Sequence, residues 1–483
     1  MGYNTLIEII YTIILILVCM RIIYDTRSPS KTLAYILAAV LIPVFGIVFY
    51  LMFGINHRKH ILYSKKLIAD EEKYKDFNML IASESNKILS EFVINNNSIA
   101  SLIKLLLNEN SSPITKGNSV KILINGEEKF PEVIEILKAA KHHIHLEYYI
   151  YENDIIGNLI KDILIAKAKE GVKVRFIYDD FGSRNIRKKL VKELRMAGVE
   201  AYPFNRVRFP KFANRMNYRN HRKIIVVDGK IAFTGGINIS DKYINEKQFK
   251  NKHYWRDTHI RIDGPAVMML QHIFLCDWNF SSNQQIKIEN ELFNATPLEN
   301  KNVIIQIVSS GPDSPNSSIM LSLLKAITIA RTEILITTPY FIPGGSIIDG
   351  LKLASLSGVS VKMLVPGISD SKIVNAAAHT YYDELIQSGI EIYLYKKGFI
   401  HAKTMVIDNL LSVIGSANMN HRSFNFDFEV NTNIYDAEIS EQLRNLFYQD
   451  LQYADKIVYE EWKNKPVWIK MLERIARLFS PVF

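Results

Sequence analysis

Two stretches of this chain place the same residue types at the same spacing. The first runs His221, Lys223, Asp228, then Gly235, Gly236 and Asn238. The second runs His401, Lys403, Asp408, then Gly415, Ser416 and Asn418. Both read H-x-K-x-x-x-x-D, six residues, G-[GS]-x-N. An imidazole, an ammonium and a carboxamide on one patch suit a phosphate: a nucleophile or acid, a counter-charge and a hydrogen-bond donor. A lone His beside a Lys is most often a surface feature. Two matching constellations in one chain point to catalysis.

The local sequence says how each set is held. His221 and Lys223 are two apart, so a strand turns both to one face. Ile224 to Val227 is a short apolar run, as in a buried strand. Asp228-Gly229 supplies a hairpin turn, and Lys230 to Phe233 returns as the next strand. Gly235-Gly236 lets the backbone bend close to a ligand and brings Asn238 back beside the pair. A histidine nucleophile needs a partner that fixes its tautomer. Asp257, in WRDTH, follows the first motif, and Glu429, in FEVN, follows the second. Chain order assigns Asp257 to His221 and Glu429 to His401. Asp228 and Asp408 sit at the far ends of their strands and read as turn residues, with no proton-transfer role.

These motifs sit inside an internal repeat, which decides the architecture. Strand, helix and strand are expected at 143–149, 159–170 and 171–177, and again at 333–340, 346–357 and 358–364. Each half then has a helix, a strand and its H-x-K motif. Alternating strands and helices mean an α/β sheet with helical cover. Two homologous halves imply a pseudo-two-fold with the motifs meeting at the seam. The expected units are a membrane anchor over 1–60, a helical linker over 61–115, a first repeat over 116–295 and a second over 296–483.

The chain of 483 residues carries a net charge of +10, which suggests an anionic partner. Its two cysteines, Cys19 and Cys276, make no disulfide framework, and no zinc-type cluster appears. Leu6 to Met20 is apolar except for Glu8 and Thr12, and marginal in length for a membrane span. Leu33 to Phe53 is the stronger span, uncharged, with Pro43 as a kink and Tyr35 and Tyr50 near its ends as interface anchors. Arg58, Lys59, Lys65 and Lys66 favour a cytoplasmic body; Arg21, Arg27 and Lys31 argue the other way. Asn95 to Asn97 and Ser111 to Pro113 read as breaks in the linker.

Between Arg184 and Lys223 the chain is unusually basic, and Arg206, Phe209, Phe212 and Met216 interleave apolar and basic groups. This stretch is either a solvated face or a rim that gathers anionic headgroups. Trp462 to Phe479 carries an apolar stripe at helical spacing, which either packs on the core or lies at an interface.

The paired motifs resemble those of the phospholipase D superfamily. The N-terminal apolar pair and the whole-chain layout resemble the bacterial cardiolipin synthases, from about Leu6 to the C-terminus. The resemblance implies two phospholipase D-like sandwich repeats forming one α/β catalytic body behind two transmembrane helices. It places Asp257 and Glu429 as histidine-orienting acids, His221 as nucleophile and His401 as acid/base. Asp228 and Asp408 enter the site only as members of the family's motif. Lys223, Lys403, Asn238 and Asn418 are expected to hold phosphoryl oxygens, with Gly236 and Ser416 beside them. The implied partners are a membrane and an anionic phospholipid, phosphatidylglycerol, and no nucleic acid. No cofactor or metal is expected, because lysines supply the positive charge. The implied reaction joins two phosphatidylglycerols into cardiolipin and releases glycerol. The chain departs from the family near Asn420 and His421, where an acidic residue is usual.

Overall fold

The computed structural model describes residues 3–26, 29–42, 44–53, 83–91, 97–110, 112–206, 218–249, 253–286, 290–314 and 316–480. The linker residues 54–82 and 92–96, the basic groups Arg208, Lys211 and Arg215, and Pro43 lie outside this set.

In the body, the first half contains β1 (Ile114–Ile124), β2 (His143–Tyr148), β3 (Lys173–Asp179), β4 (Glu200–Phe204), β5 (Lys223–Val227), β6 (Ile231–Gly235), β7 (Tyr254–Arg256) and β8 (Thr258–Asp263). The second half contains β9 (Val303–Ser310), β10 (Glu333–Thr337), β11 (Ser360–Pro366), β12 (Glu391–Tyr395), β13 (Gly398–Ile400), β14 (Thr404–Ile407), β15 (Leu411–Gly415), β16 (Glu429–Tyr435) and β17 (Ala454–Lys456). Fifteen of these strands form one sheet, ordered β17-β12-β11-β10-β14-β15-β16-β9-β1-β8-β6-β5-β2-β3-β4. Read outward from the antiparallel β1–β9 pair, the two sides repeat one topology, so the pseudo-two-fold passes through that pair. In each half three neighbouring strands run parallel and are joined by helical crossovers, such as Ile155–Lys169 between β2 and β3.

β5 shows why its sequence is apolar at every position after Lys223. Ile225 and Val227 enter the core of their own half. Ile224 and Val226 enter a second core, shared with Ile305, Val406, Ile414 and Val430 of the other half. A strand covered on both faces carries a continuous apolar run, not an alternating one. The shared core locks the halves together and fixes where the two motifs meet.

The C-terminal helix Val467–Arg477 is turned the opposite way to a core helix. Glu473 and Ala476 are buried, and the Glu473 carboxylate lies 2.9 Å from His379 Nδ1 and accepts from Lys465 Nζ at 2.9 Å. Val467, Trp468 and Leu478 are 80%, 65% and 77% exposed, and Met471, Leu472, Ile475 and Phe479 are exposed beside them. Most of the apolar stripe therefore faces away from the body, while Ala476 and Trp462 pack on its core.

The N-terminal helices form a separate unit. Thr5–Asp25, 21 residues long, is the one helix among the described residues with the length and apolarity to cross a membrane. The second expected span is instead two short helices, Pro29–Leu41 and Phe45–Phe53. They fold back on each other, so Tyr35 and Tyr50 are not at opposite ends of a span; their rings lie 5.6 Å apart. Val44 takes a left-handed φ of 62°, and a Cβ on Gly46 would lie 1.9 Å from the Ala38 carbonyl oxygen. A reversal that close needs a residue without a side chain.

Candidate active site

His221 and His401 stand just outside regular strand. His221 precedes β5, and its N–H donates to the Phe428 carbonyl of the other half at 2.9 Å. Phe428 N–H returns a bond to the Arg219 carbonyl at 2.8 Å. His401 lies between β13 and β14, and its N–H donates to the Arg256 carbonyl at 2.7 Å. β13 pairs in parallel with β7, again across the seam. Each histidine is thus tied by backbone to the segment that carries the other half's acid.

The consequence reverses the assignment made by chain order. His221 Nδ1 lies 3.0 Å from each Glu429 carboxylate oxygen, and His401 Nδ1 lies 2.7 Å from Asp257 Oδ2. Asp257 does not orient His221, and Glu429 does not orient His401. With Nδ1–H held by a carboxylate, each ring keeps Nε2 for chemistry.

The electrostatics follow from burial. All four motif side chains are buried. Burial lowers His221 to about 4, opposed by Glu429, and lowers His401 to about 3, with Lys403 adding to the effect. Burial lowers Lys223 to about 7 and Lys403 to about 8, against the pull of Glu429 and Asp257. Lys403 also lowers both His221 and Lys223, so the two motifs share one field. Such a site favours an anion: a bound phosphodiester restores charge to both lysines and raises the histidines. Lys223 Nζ donates to its own histidine's carbonyl at 2.5 Å, and Lys403 Nζ does the same at His401.

The remaining expected residues divide. Ser416 is a positioning residue: its hydroxyl donates to Glu429 Oε2 at 2.5 Å, and its carbonyl lies 3.1 Å from His221 Nδ1. Gly236 serves the other acid, since a Cβ there would stand 2.1 Å from Asp257 Oδ1. Both residues of the motif tail thus stand against the acids. Asn238 is engaged, donating to Tyr243 Oη at 2.8 Å and accepting from Ile150 N–H at 3.2 Å. The Asn418 carboxamide oxygen is buried with no partner among the described residues.

Asp228 takes a left-handed φ of 52° in the hairpin turn. Its carboxylate accepts from the N–H groups of Lys141, His142 and His143 at 2.8, 2.8 and 2.9 Å. Asp408 does the same for Arg331, Thr332 and Glu333 at 2.7, 2.7 and 2.9 Å. Each carboxylate splints its turn to the start of the neighbouring strand, far from the chemistry. Asp228→Ala is therefore expected to cost about 1–2 kcal/mol of stability, as loss of a capping carboxylate does. The check is an earlier urea midpoint by intrinsic fluorescence. An unchanged midpoint with lost turnover would return Asp228 to the chemistry.

Sequence reasoning missed Ser423, whose hydroxyl donates to Glu429 Oε1 at 2.6 Å. It lies in the stretch that departs from the family. Asn420 there caps the helix His421–Asn425, accepting from Ser423 N–H at 2.9 Å. An asparagine thus does the capping that an acid at this position could do. Also missed was the buried set behind His221, where Asn220 donates to Glu147 and Arg222 pairs with Asp277. Arg219 faces Asp179 at 3.5 Å. Two members of the basic stretch are therefore structural ions rather than a solvated face or a headgroup rim. Among the described residues no group of three or more His, Cys, Asp or Glu could hold a metal ion.

A pseudo-two-fold α/β body of two homologous halves, its two motifs meeting at the seam, is the class of architecture the phospholipase D resemblance implied; the crossed histidine–carboxylate pairing is added by the structure. The family described as cardiolipin synthase, phospholipase D-like domain, matches residues 133–258 and 323–451, and the phospholipase D-nuclease N-terminal family matches 10–54. A cardiolipin synthase of Alkalihalophilus pseudofirmus is 39% identical over 480 residues, covering 98% of this chain and 93% of that one. The major cardiolipin synthase ClsA of Bacillus subtilis is 39% identical over 489 residues, covering 100% of both. A solved phosphatidylserine synthase from Haemophilus influenzae Rd KW20 shares the fold, with a TM-score of 0.61 at 15% identity over 79% of this chain and 100% of that one. The chain belongs to the cardiolipin synthase family of phospholipase D-like proteins.

Proposed function

We propose that this protein transfers a phosphatidyl group from one phosphatidylglycerol to another, giving cardiolipin and glycerol. The carrying observation is the pair of buried histidines, each with a carboxylate on Nδ1 from the opposite half and a lysine two residues on. His221, neutral and oriented by Glu429, attacks phosphorus through Nε2. The P–O bond to the leaving glycerol breaks, and His401 supplies its proton. His401 can do this because the bound phosphodiester raises it from its depressed value. The phosphatidyl group then rests on His221 as a phosphoramidate. His401, now neutral, takes the proton from the second lipid's headgroup hydroxyl as that oxygen displaces the histidine. Lys223 and Lys403 hold the phosphoryl oxygens, with the side-chain N–H groups of Asn238 and Asn418 as the further donors.

The body is read as two phospholipase D-like repeats, 116–295 and 296–483, behind an anchor over 1–60 and a linker over 61–115. Thr5–Asp25 has the length to cross the bilayer. The folded-back pair after it is too short to span and is read as re-entering the same apolar layer. Arg58, Lys59, Lys65 and Lys66 follow the anchor and support a cytoplasmic body in a bacterial cell membrane. The exposed stripe of Val467–Arg477 suits the surface of the leaflet that holds the substrate.

The test is to incubate the purified full chain with phosphatidylglycerol in detergent micelles and identify products by mass. Cardiolipin and glycerol are expected in equal amounts, with the rate within about twofold when a chelator is added, since lysines rather than a metal compensate the charge. Phosphatidic acid in place of cardiolipin would make the protein a hydrolase. A rate lost to chelator and restored by one divalent ion would contradict the lysine-based account.

A further inference from the structure

The pseudo-two-fold places a cation four residues beyond each motif asparagine: Lys242 after Asn238 and Arg422 after Asn418. It also places one residue two positions before each acid: Trp255 before Asp257 and Asp427 before Glu429. The two cations meet these equivalents and are treated differently. Arg422 forms an ion pair with Asp427, Nε to Oδ2 at 3.1 Å. Lys242 has a tryptophan in that place. Its ammonium lies 4.5 Å from the centroid of Trp255 and 5.2 Å from that of Tyr243, and it forms no ion pair among the described residues. Asp370 is the carboxylate that bears most on it, and Asp370 is held by the Tyr340 hydroxyl at 2.7 and 2.8 Å.

The position of this cation is specific. The Trp255 ring is 5.5 Å from the His401 ring, and Tyr243 and Tyr340 lie 6.2 and 6.4 Å from it. Lys242 is therefore one aromatic ring away from the histidine that handles the leaving and entering hydroxyls. A cation on an aromatic face in a half-buried place keeps its attraction for an anion while shielded from water.

The reaction calls for a cation at this end. In-line displacement puts the nucleophile on one side of phosphorus and the leaving or entering oxygen on the other. The transferred phosphate sits between the histidines, with Lys223 and Lys403. The acceptor lipid brings a second phosphate, joined through its glycerol to the hydroxyl that enters at His401. That second anion must lie beyond His401, away from His221.

We propose that Lys242, seated on Trp255 beside His401, binds the phosphate of the acceptor lipid; this rests on the phosphatidyl-transfer reading above. In the step it serves, the bond between phosphorus and His221 Nε2 breaks. A bond from phosphorus to the acceptor's glycerol oxygen forms, and the hydroxyl proton passes to His401. Lys242 exchanges no proton and orients the acceptor through its phosphate.

The assignment separates acceptors with a phosphate from acceptors without one. The purified full chain is assayed in micelles for two reactions: cardiolipin formation from phosphatidylglycerol, and exchange of isotopically labelled free glycerol into phosphatidylglycerol. Both need the same donor and both histidines, but free glycerol carries no phosphate. In Lys242→Gln the ratio of cardiolipin formation to glycerol exchange is expected to fall at least tenfold, and Lys242→Arg should recover most of it. Exchange also reports that the variant has folded. Equal losses in both reactions, or an unchanged ratio, would overturn the subsite. Wild-type protein that makes neither product would overturn the transfer reading itself, and the subsite with it.

Discussion

Replacing either histidine with alanine is expected to lower cardiolipin formation by on the order of 10³-fold or more, with the body still folded. Both rings are buried, yet each side chain ends at the seam, so truncation removes chemistry before it removes packing. The two losses should differ in kind. In His401→Asn the attack by His221 survives but the glycerol leaves unprotonated, a deficit worth about 10²–10⁴-fold. A p-nitrophenyl phosphodiester of a lipid leaves without protonation, so it should restore the first step in His401→Asn and not in His221→Asn. The adduct should then accumulate on His221, because the same His401 is needed to activate the acceptor. Peptide mass mapping after acid-free quenching locates it. An adduct on His401 in the His221→Asn variant, and none on His221 in the other, would exchange the two roles.

The second large effect concerns the acids, where chain order and the structure predict opposite results. Glu429→Gln leaves His221 without a carboxylate on Nδ1 and weakens the hold of Ser416 and Ser423. It should slow adduct formation by on the order of 10²–10⁴-fold whatever the leaving group, because the nucleophile has lost its tautomer control. Asp257→Asn disturbs His401 instead. Its defect should shrink sharply with the p-nitrophenyl substrate, as it does in His401→Asn. If Asp257→Asn showed the leaving-group-independent defect and Glu429→Gln the dependent one, the crossed pairing would be wrong in solution.

The spacing of the two motifs made legible which histidines and lysines the fold buries at the seam, because the same residue types recur at the same intervals. The turn role of Asp228 and Asp408 was legible too, from a position at the far end of a strand from its histidine. The pairing of acids was not. Asp257 lies 36 positions after His221, and nothing in either segment distinguishes its own half from the equivalent half across a two-fold. That choice is made in space, by β7 on β13 and by Asn220 on Phe428. The contacts of Gly236 and Ser416 with the acids of their own halves, Asp257 and Glu429, were not legible either, because spacing along the chain does not show which side chain faces a bend. In the N-terminal segment, apolar length suggested a second span, but length does not register a reversal at Val44 and Gly46. In Val467–Arg477 the apolar stripe was plain in the sequence, whereas its direction depended on Glu473 finding His379 and Lys465.

The crossed pairing also sets when, during synthesis, the protein becomes reactive. The first half is complete in sequence long before the second, and domains generally begin to fold as they emerge. His221 can then stand before its strand with Lys223 two residues on, but its carboxylate is Glu429, far nearer the end of the chain. A nascent or interrupted chain that stops before Glu429 therefore holds His221 without the carboxylate that orients it. On the proposed mechanism, reactivity toward lipid is withheld until nearly the whole polypeptide has been made.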